Sequence, residues 1–215
     1  ENHKSVKESG SRLKVTTFKL QWLQEITLAI NDNLPQEDLL KIFENHLTCD
    51  LNIQKVLLFI YEDKWKCILQ SGEVGKSYEA INVERDLLPI KEISINTSSP
   101  NEALETFDIV IPVINKDIPI AYVIIGDIEE GPGVAPIIKH LNFIQTLTNI
   151  IVVAIENRRL FKETLRQAAI KKELELASKM QNMLIPNPSV LPKNNRIHMV
   201  SFYHPHFEVG GDYYD

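Results

Sequence analysis

From Ile137 to Leu184 the sequence runs without a glycine or a proline, and its apolar residues recur at near-helical spacing. A single helix of that length reaches roughly 70 Å. No compact domain built from 215 residues needs such a helix, so one domain plus a helical extension is expected. The first part of the stretch is apolar enough to pack on a sheet. From Asn157 onward, charged residues alternate with spaced apolar ones: Leu160, Phe161, Leu165, Ala168, Ala169, Leu176, Met180 and Met183. Their spacing mixes threes and fours, as in a two-helix coiled coil. A homodimer through this helix is the expectation. A single surface helix that projects from its domain is the alternative.

Upstream, residues 1–12 are polar and are expected to form a disordered leader. Leu13, Phe18, Leu20, Leu23, Ile26, Leu28 and Ile30 then recur at helical spacing. Pro35, Glu37 and Asp38 mark the start of a second helix, proline in its first turn and acids at the positive end of its dipole. "KVLLFIYED" is apolar on both faces, which predicts a central strand covered on both sides. "WKCILQSG" is its partner strand. Residues 71 to about 103 read as irregular and polar. "FDIVIPVI" and "IPIAYVIIGD", joined by the turn "NKD", carry a strong hairpin signal. Pro112 removes a ladder donor, so its strand belongs at an edge or bulges there. Helix, helix, strand, strand, loop, strand, strand, helix predicts an α+β sandwich, a central antiparallel sheet with flanking helices. The predicted divisions are a leader (1–12), an α+β domain (13–158), a helical linker or coiled coil (159–184) and a C-terminal segment (185–215). Pro186, Pro188 and Pro192 break the long helix at the last division.

Charge and composition exclude several roles. Net charge is −6, so no basic excess is present to neutralise phosphates, and neither nucleic acid nor a membrane surface is an expected partner. The most apolar run, Ile150 to Ile155, is too short to span a bilayer. No N-terminal run resembles a signal peptide. Cys49 and Cys67 lack metal-ligand spacing and are expected to be reduced core thiols in a cytoplasmic protein. His46, His140 and His198 are expected at the surface or its boundary. His204 and His206 flank Pro205 as a solvated pair, with no third ligand close in sequence. Trp22 and Trp65 are expected to pack in the core.

Two stretches resemble known families. "IVIPVINKDIPIAYVIIGD", followed by "AIENRRLF" (Ala154 to Phe161), resembles a GAF domain and its exit into a signalling helix. Ala121 stands where that family usually has glycine. "ELELASKMQNMLIPNPSVLP" and "SFYHPHFEVGGDYYD" resemble the entry into bacterial SpoIIE/RsbU-type protein serine phosphatases of the metal-dependent PPM superfamily. Glu173, Leu174, Ala177, Gln181, Pro186, Tyr203, Pro205, Val209, Gly210, Gly211 and Asp212 fit the family phrase, whereas His206 replaces a small residue.

The second resemblance implies chemistry. In that family paired Mg²⁺ or Mn²⁺ ions hold the attacking water and the phosphate. Asp212 matches the first acidic metal position and Asp215 is a weaker candidate. Gly210 and Gly211 would let the backbone approach closely. The later aspartate motifs do not occur in residues 1–215, so this chain is expected to bind no metal and to lack phosphatase activity. It begins at Glu1 and closes on "EVGGDYYD", and is expected to be a regulatory fragment of a longer phosphatase. The implied substrate is a phosphoprotein such as a phosphorylated anti-sigma-factor antagonist. The GAF resemblance implies a possible small-molecule ligand over the sheet, with residues 71–103 as its lid. The set typical of cyclic-nucleotide GAF domains is not found, and neither cysteine is flanked as in a bilin site. A ligand-independent dimerisation module, or the sensor module of another signalling enzyme such as a histidine kinase, is the alternative.

Overall fold

The computed structural model describes residues 2–73, 75–95, 101–129 and 136–184, with Arg196 and Gly210; over 2–15 and 75–77 it describes the backbone alone. The chain divides into two units, Glu1–Glu156 and Asn157–Asp215.

Helix α1 spans Asn2–Asn31. It starts well before Leu13, so the leader expected to be disordered is helical from Asn2. The polar stretch lacks an apolar stripe but not helix propensity. It holds no proline, and Gly10 costs only about 1 kcal/mol relative to alanine. The helix ends in a left-handed cap. Asn33 has φ 53, its N–H bonds to the Ile30 carbonyl, and the Leu34 N–H reaches the Ala29 carbonyl. These are the two bonds of a Schellman motif, with asparagine in the usual glycine position. Leu34 then packs against the core. Helix α2, Gln36–Asn45, follows Pro35, with Glu37 and Asp38 in its first turn. It passes directly into a π-helical turn, His46–Asp50.

Strand β1 (Ile53–Glu62) pairs with β2 (Lys64–Ser71) and with β5 (Ile118–Ile128). Strand β4 (Ile109–Asn115) lies between β5 and the two-residue β3 (Ser94–Ile95). The antiparallel sheet runs β2-β1-β5-β4-β3. Gly72 closes β2 with φ 84, and a Cβ there would meet the Gln54 carbonyl oxygen at 1.8 Å. Only glycine satisfies both constraints. The β4–β5 hairpin turns on Lys116 and Asp117, both left-handed at φ 49 and 65, as a two-residue type I′ turn requires. Pro112 sits beyond the end of β3, which pairs only with Ile109 and Val110. The register shifts at Val113/Ile114. The Pro112 carbonyl accepts a hydrogen bond from Gln145 Nε2 at 2.6 Å, so a helix side chain serves the strand's uncovered side.

Both sheet faces are buried, as the two apolar faces of β1 require. One carries Val56, Leu58, Ile60, Ile111, Val123 and Ile125 against Trp22 and Ile26 of α1, Phe43 of α2, and Ile144, Leu147 and Ile151 of helix α4 (Leu141–Leu184). The other carries Leu57, Phe59, Val110, Tyr122 and Ile124. Its cover comes from the region read in sequence as polar and irregular. A 3-10 turn (Gly75–Ala80), a π turn (Val83–Leu87) and helix α3 (Glu102–Glu105) lie there. They bury Ile81, Val83, Leu87, Ala103 and Leu104. Those residues keep no period of 2 or 3.6, which is why the sequence hid their burial.

Helix α4 is continuous from Leu141 to Leu184, 44 residues. Through Ile155 it buries an apolar stripe. From Leu160 on, Phe161, Leu165, Ile170, Leu174, Leu176, Met180, Met183 and Leu184 are exposed within the chain. No described helix is long and apolar enough to cross a membrane.

Candidate functional site

The cover of the second sheet face is fastened by one carboxylate. Asp86 lies in the π turn that follows Asn82, with its side chain 1% exposed. Its Oδ2 accepts from the Asn82 N–H at 2.9 Å, from Arg85 Nη2 at 3.0 Å and from Asn101 Nδ2 at 2.6 Å. Its Oδ1 accepts from Arg85 Nε at 2.6 Å. Asn101 caps α3 through its Oδ1 and also donates to the Ala80 carbonyl. One buried acid therefore joins the two short elements that close this face. The Arg85 side chain is the main force holding its pKa down at about 2. Burial opposes that shift, and the bonds from Asn101 and Asn82 reinforce it.

Beneath this cover stands Tyr122, in the middle of β5 and fully buried. Its hydroxyl donates to the Ile90 carbonyl at 3.4 Å, and burial raises its pKa. Trp65 lies 5.5 Å from Tyr122 and 5.4 Å from Tyr61, centroid to centroid. Trp65 is half-buried and packs against this second core. The face therefore combines a file of aromatic rings with a cover tied by polar bonds.

The helical layer on the opposite face holds two buried histidines. His46 stacks on Trp22 at 4.4 Å and 21°. Its Nδ1 faces Asp50 Oδ2 at 3.0 Å. Its Nε2 faces Glu25 Oε2 at 3.2 Å, off the angle of a hydrogen bond. His140 is 3% exposed, and its Nδ1 has no hydrogen-bond partner among the described residues. Burial, then Lys19 and Lys139, push its pKa down. Neither histidine is at the surface or its boundary, as the sequence suggested. Each sits where α1 meets another element, in a slot shaped by Phe18, Trp22 and Phe143. Trp22 packs in the core as expected.

The cysteines correct another expectation. Cys49 is exposed: it lies in the π turn between Leu47 and Leu51, which are the residues turned to the core. Cys67 is half-buried and free, with burial pushing its thiol up to about 11. Cys67 is therefore not a reactive thiolate by environment.

Asp212, Asp215, Gly211, His198, His204 and His206 lie outside the described residues. Among the described residues no three metal-ligating side chains gather. Five positions of the phosphatase-like phrase are described, Glu173, Leu174, Ala177, Gln181 and Gly210, and the last two meet. Gln181 Nε2 donates to the Gly210 carbonyl at 2.6 Å, and the Gly210 N–H donates to Gln181 Oε1 at 2.9 Å. The sequence placed both residues in one motif but could not show that they bond. The Asp86 tie was missed entirely, since a single aspartate in a polar loop carries no signal.

A GAF domain from Pseudomonas syringae pv. tomato, of a protein assigned as a sensor histidine kinase, superposes on this chain with TM-score 0.54 at 16% identity. The match covers 76% of this chain and 99% of that one. The fold is GAF-like. A methyl-accepting chemotaxis protein, residues 122 to 287, matches with TM-score 0.44 at 10% identity over 63% of this chain and 98% of its own. The GAF domain of a phosphoenolpyruvate-protein phosphotransferase from Coxiella burnetii matches with TM-score 0.43 at 17% identity over 68% and 98%. No family model matches the chain, and no curated protein matches it. In the GAF-like sheet Ala121, where glycine is usual, is fully buried opposite Val113 and Ile60. Its methyl fills core space and leaves the strand pairing intact. The resemblance to serine phosphatases has no counterpart among these structures.

Proposed function

We propose that this chain is the regulatory part of a signalling protein. Its GAF-like unit receives a signal, and α4 passes it on as a homodimeric coiled coil. The observation that supports this reading is the exposed apolar stripe of α4 beyond Leu160. Phe161, Leu165 and Ala169 advance by fours; Leu176 and Met180 then repeat Leu165 and Ala169 eleven residues later, and Met183 falls two such repeats after Phe161. An eleven-residue repeat keeps a straight or slightly right-handed seam facing a partner. Lys172 occupies one slot of that seam, which weakens packing at its middle. A seam with a weak middle suits two near-equal arrangements, and a ligand that binds one better than the other shifts the balance.

The finer reading takes the phosphatase resemblance at its word. The output is then a cytoplasmic Mg²⁺- or Mn²⁺-dependent protein serine/threonine phosphatase of the SpoIIE/RsbU type, acting on a phosphoprotein such as a phosphorylated anti-sigma-factor antagonist. Asp212, and less strongly Asp215, would belong to its metal site. The described residues hold no dinuclear centre, so the activity needs further aspartates. A second reading is supported equally by the GAF-like fold: a ligand-independent dimerisation module, or the sensor of another signalling enzyme. Two measurements separate them. A thermal-shift screen with nucleotides, haem and metabolites is expected to raise the melting temperature of a sensor and leave a pure dimeriser unmoved. Reading the coding sequence beyond Asp215 tests the output: absence of an aspartate-glycine motif within the next ~60 residues, about half a domain, removes the phosphatase reading.

A further inference from the structure

Gln181 lies three residues before the end of α4, and Gly210 lies 29 residues further along the chain. The carboxamide of one meets both backbone groups of the other, donating to the carbonyl at 2.6 Å and accepting from the N–H at 2.9 Å. Both residues are part-buried. A carboxamide presents a donor and an acceptor in one plane, which a backbone peptide group also does. Gln181 therefore pairs with Gly210 as a neighbouring strand residue would. Glycine suits the other side of the pair, because no Cβ keeps the amide away from its backbone.

We propose that Gln181 is a positioning residue: its side chain latches the Gly210 backbone to the last turns of α4. In sequence Gly210 stands two residues before the acid that the proposed phosphatase would use, so the importance of the latch for catalysis rests on that reading. The latch itself does not. Through it a change in α4 is felt directly at the Gly210 backbone, without passing along the 28 residues between. Leucine at 181 would keep the helix and lose both bonds, and lysine would keep a donor for the Gly210 carbonyl but no acceptor for its N–H. Glutamate would keep the acceptor for the Gly210 N–H and lose the donor to its carbonyl.

The test is amide exchange at Gly210 in the full chain labelled with ¹⁵N-glycine, with circular dichroism to confirm that α4 persists. Gln181→Ala is expected to speed Gly210 exchange about tenfold, the effect of losing one to two net hydrogen bonds. Gln181→Glu is expected to speed it less. Its carboxyl then supplies the rescue: below about pH 4.3 it is protonated, regains an O–H donor, and matches the amide in shape. Protection of Gly210, corrected for intrinsic exchange, should recover in Gln181→Glu as the pH falls through that range and stay flat in Gln181→Ala. A residue of merely structural value would show no such recovery. These outcomes do not depend on metal or on turnover, so loss of the phosphatase reading leaves them unchanged. The proposal is overturned if Gly210 exchanges at the wild-type rate in Gln181→Ala with α4 intact, or if acid restores nothing in Gln181→Glu.

Discussion

Asn101 donates to Asp86 at 2.6 Å across fifteen residues of chain, and this bond couples the two ends of the segment that covers the second sheet face. Removing the carboxylate takes this acceptor from the Asn82 N–H and the Asn101 amide in a part-buried place. Asp86→Ala should therefore cost about 1–2 kcal/mol, the penalty of part-buried donors that lose their acceptor. Asn101→Ala should cost about 1–2 kcal/mol, since it loses a helix cap as well as the bond. Urea unfolding checks both. A loss under 0.5 kcal/mol in Asp86→Ala would show that the cover holds by its apolar residues alone.

The two shifted groups act in different pH windows. Asp86 titrates at about 2 in the folded chain against 3.8 for the free group. On acidification the unfolded chain takes up the proton first, so this stabilisation is complete above about pH 4 and is lost between about 4 and 2. His140 is lowered from 6.5. The unfolded imidazole again protonates first, so stability is full above pH 6.5 and declines as the pH falls below it. Urea midpoints measured from pH 8 to 2 should show two descents. His140→Gln should flatten the upper one, and Asp86→Asn the lower one. Unchanged slopes in the variants would assign the descents to other groups.

The β4–β5 hairpin carries strain that can be relieved. Lys116 and Asp117 both hold positive φ, a conformation that costs an L-residue with a Cβ about 1–2 kcal/mol. The type I′ turn prefers Asn-Gly. Replacing Lys116 by Asn and Asp117 by Gly should stabilise the chain by about 0.5–1 kcal/mol, after the added freedom of glycine in the unfolded state is deducted. A rise of a few degrees in melting temperature checks it. A fall would mean that the lysine or aspartate side chain makes contacts worth more than the strain.

Legibility in the sequence followed periodicity. Val56, Leu58 and Ile60 against Leu57 and Phe59 announced a strand buried on both faces, and Pro112 announced the irregular strand end. The hairpin was plain because two apolar runs flank a short polar turn. The cover was not, because Ile81, Val83, Leu87 and Leu104 reach the core from single turns that impose no repeat. His46 and His140 were misplaced for a related reason: an imidazole's burial depends on what stacks on it, and Trp22 lies 24 residues from His46. At the candidate site the sequence singled out Asp212 by resemblance alone. The pairing of Gln181 with Gly210 became visible only once the helix end and the glycine were seen together.

The exposed half of α4 yields the sharpest test of the proposed assembly. Leu165 and Leu176 lie eleven residues apart on the exposed apolar stripe and are more than half exposed, at 54% and 53%. A second copy would cover them, and each fully buried leucine then contributes about 1.5–3 kcal/mol. The double change Leu165→Asp, Leu176→Asp puts four carboxylates into one seam of a dimer. Sedimentation equilibrium is expected to find a dimer for the wild type and a monomer for the variant. The GAF-like unit's core ends at Ile155 on α4, so its thermal transition should survive the change. A wild-type chain that stays monomeric at high concentration would remove the coiled coil, and with it the transmission role given to α4.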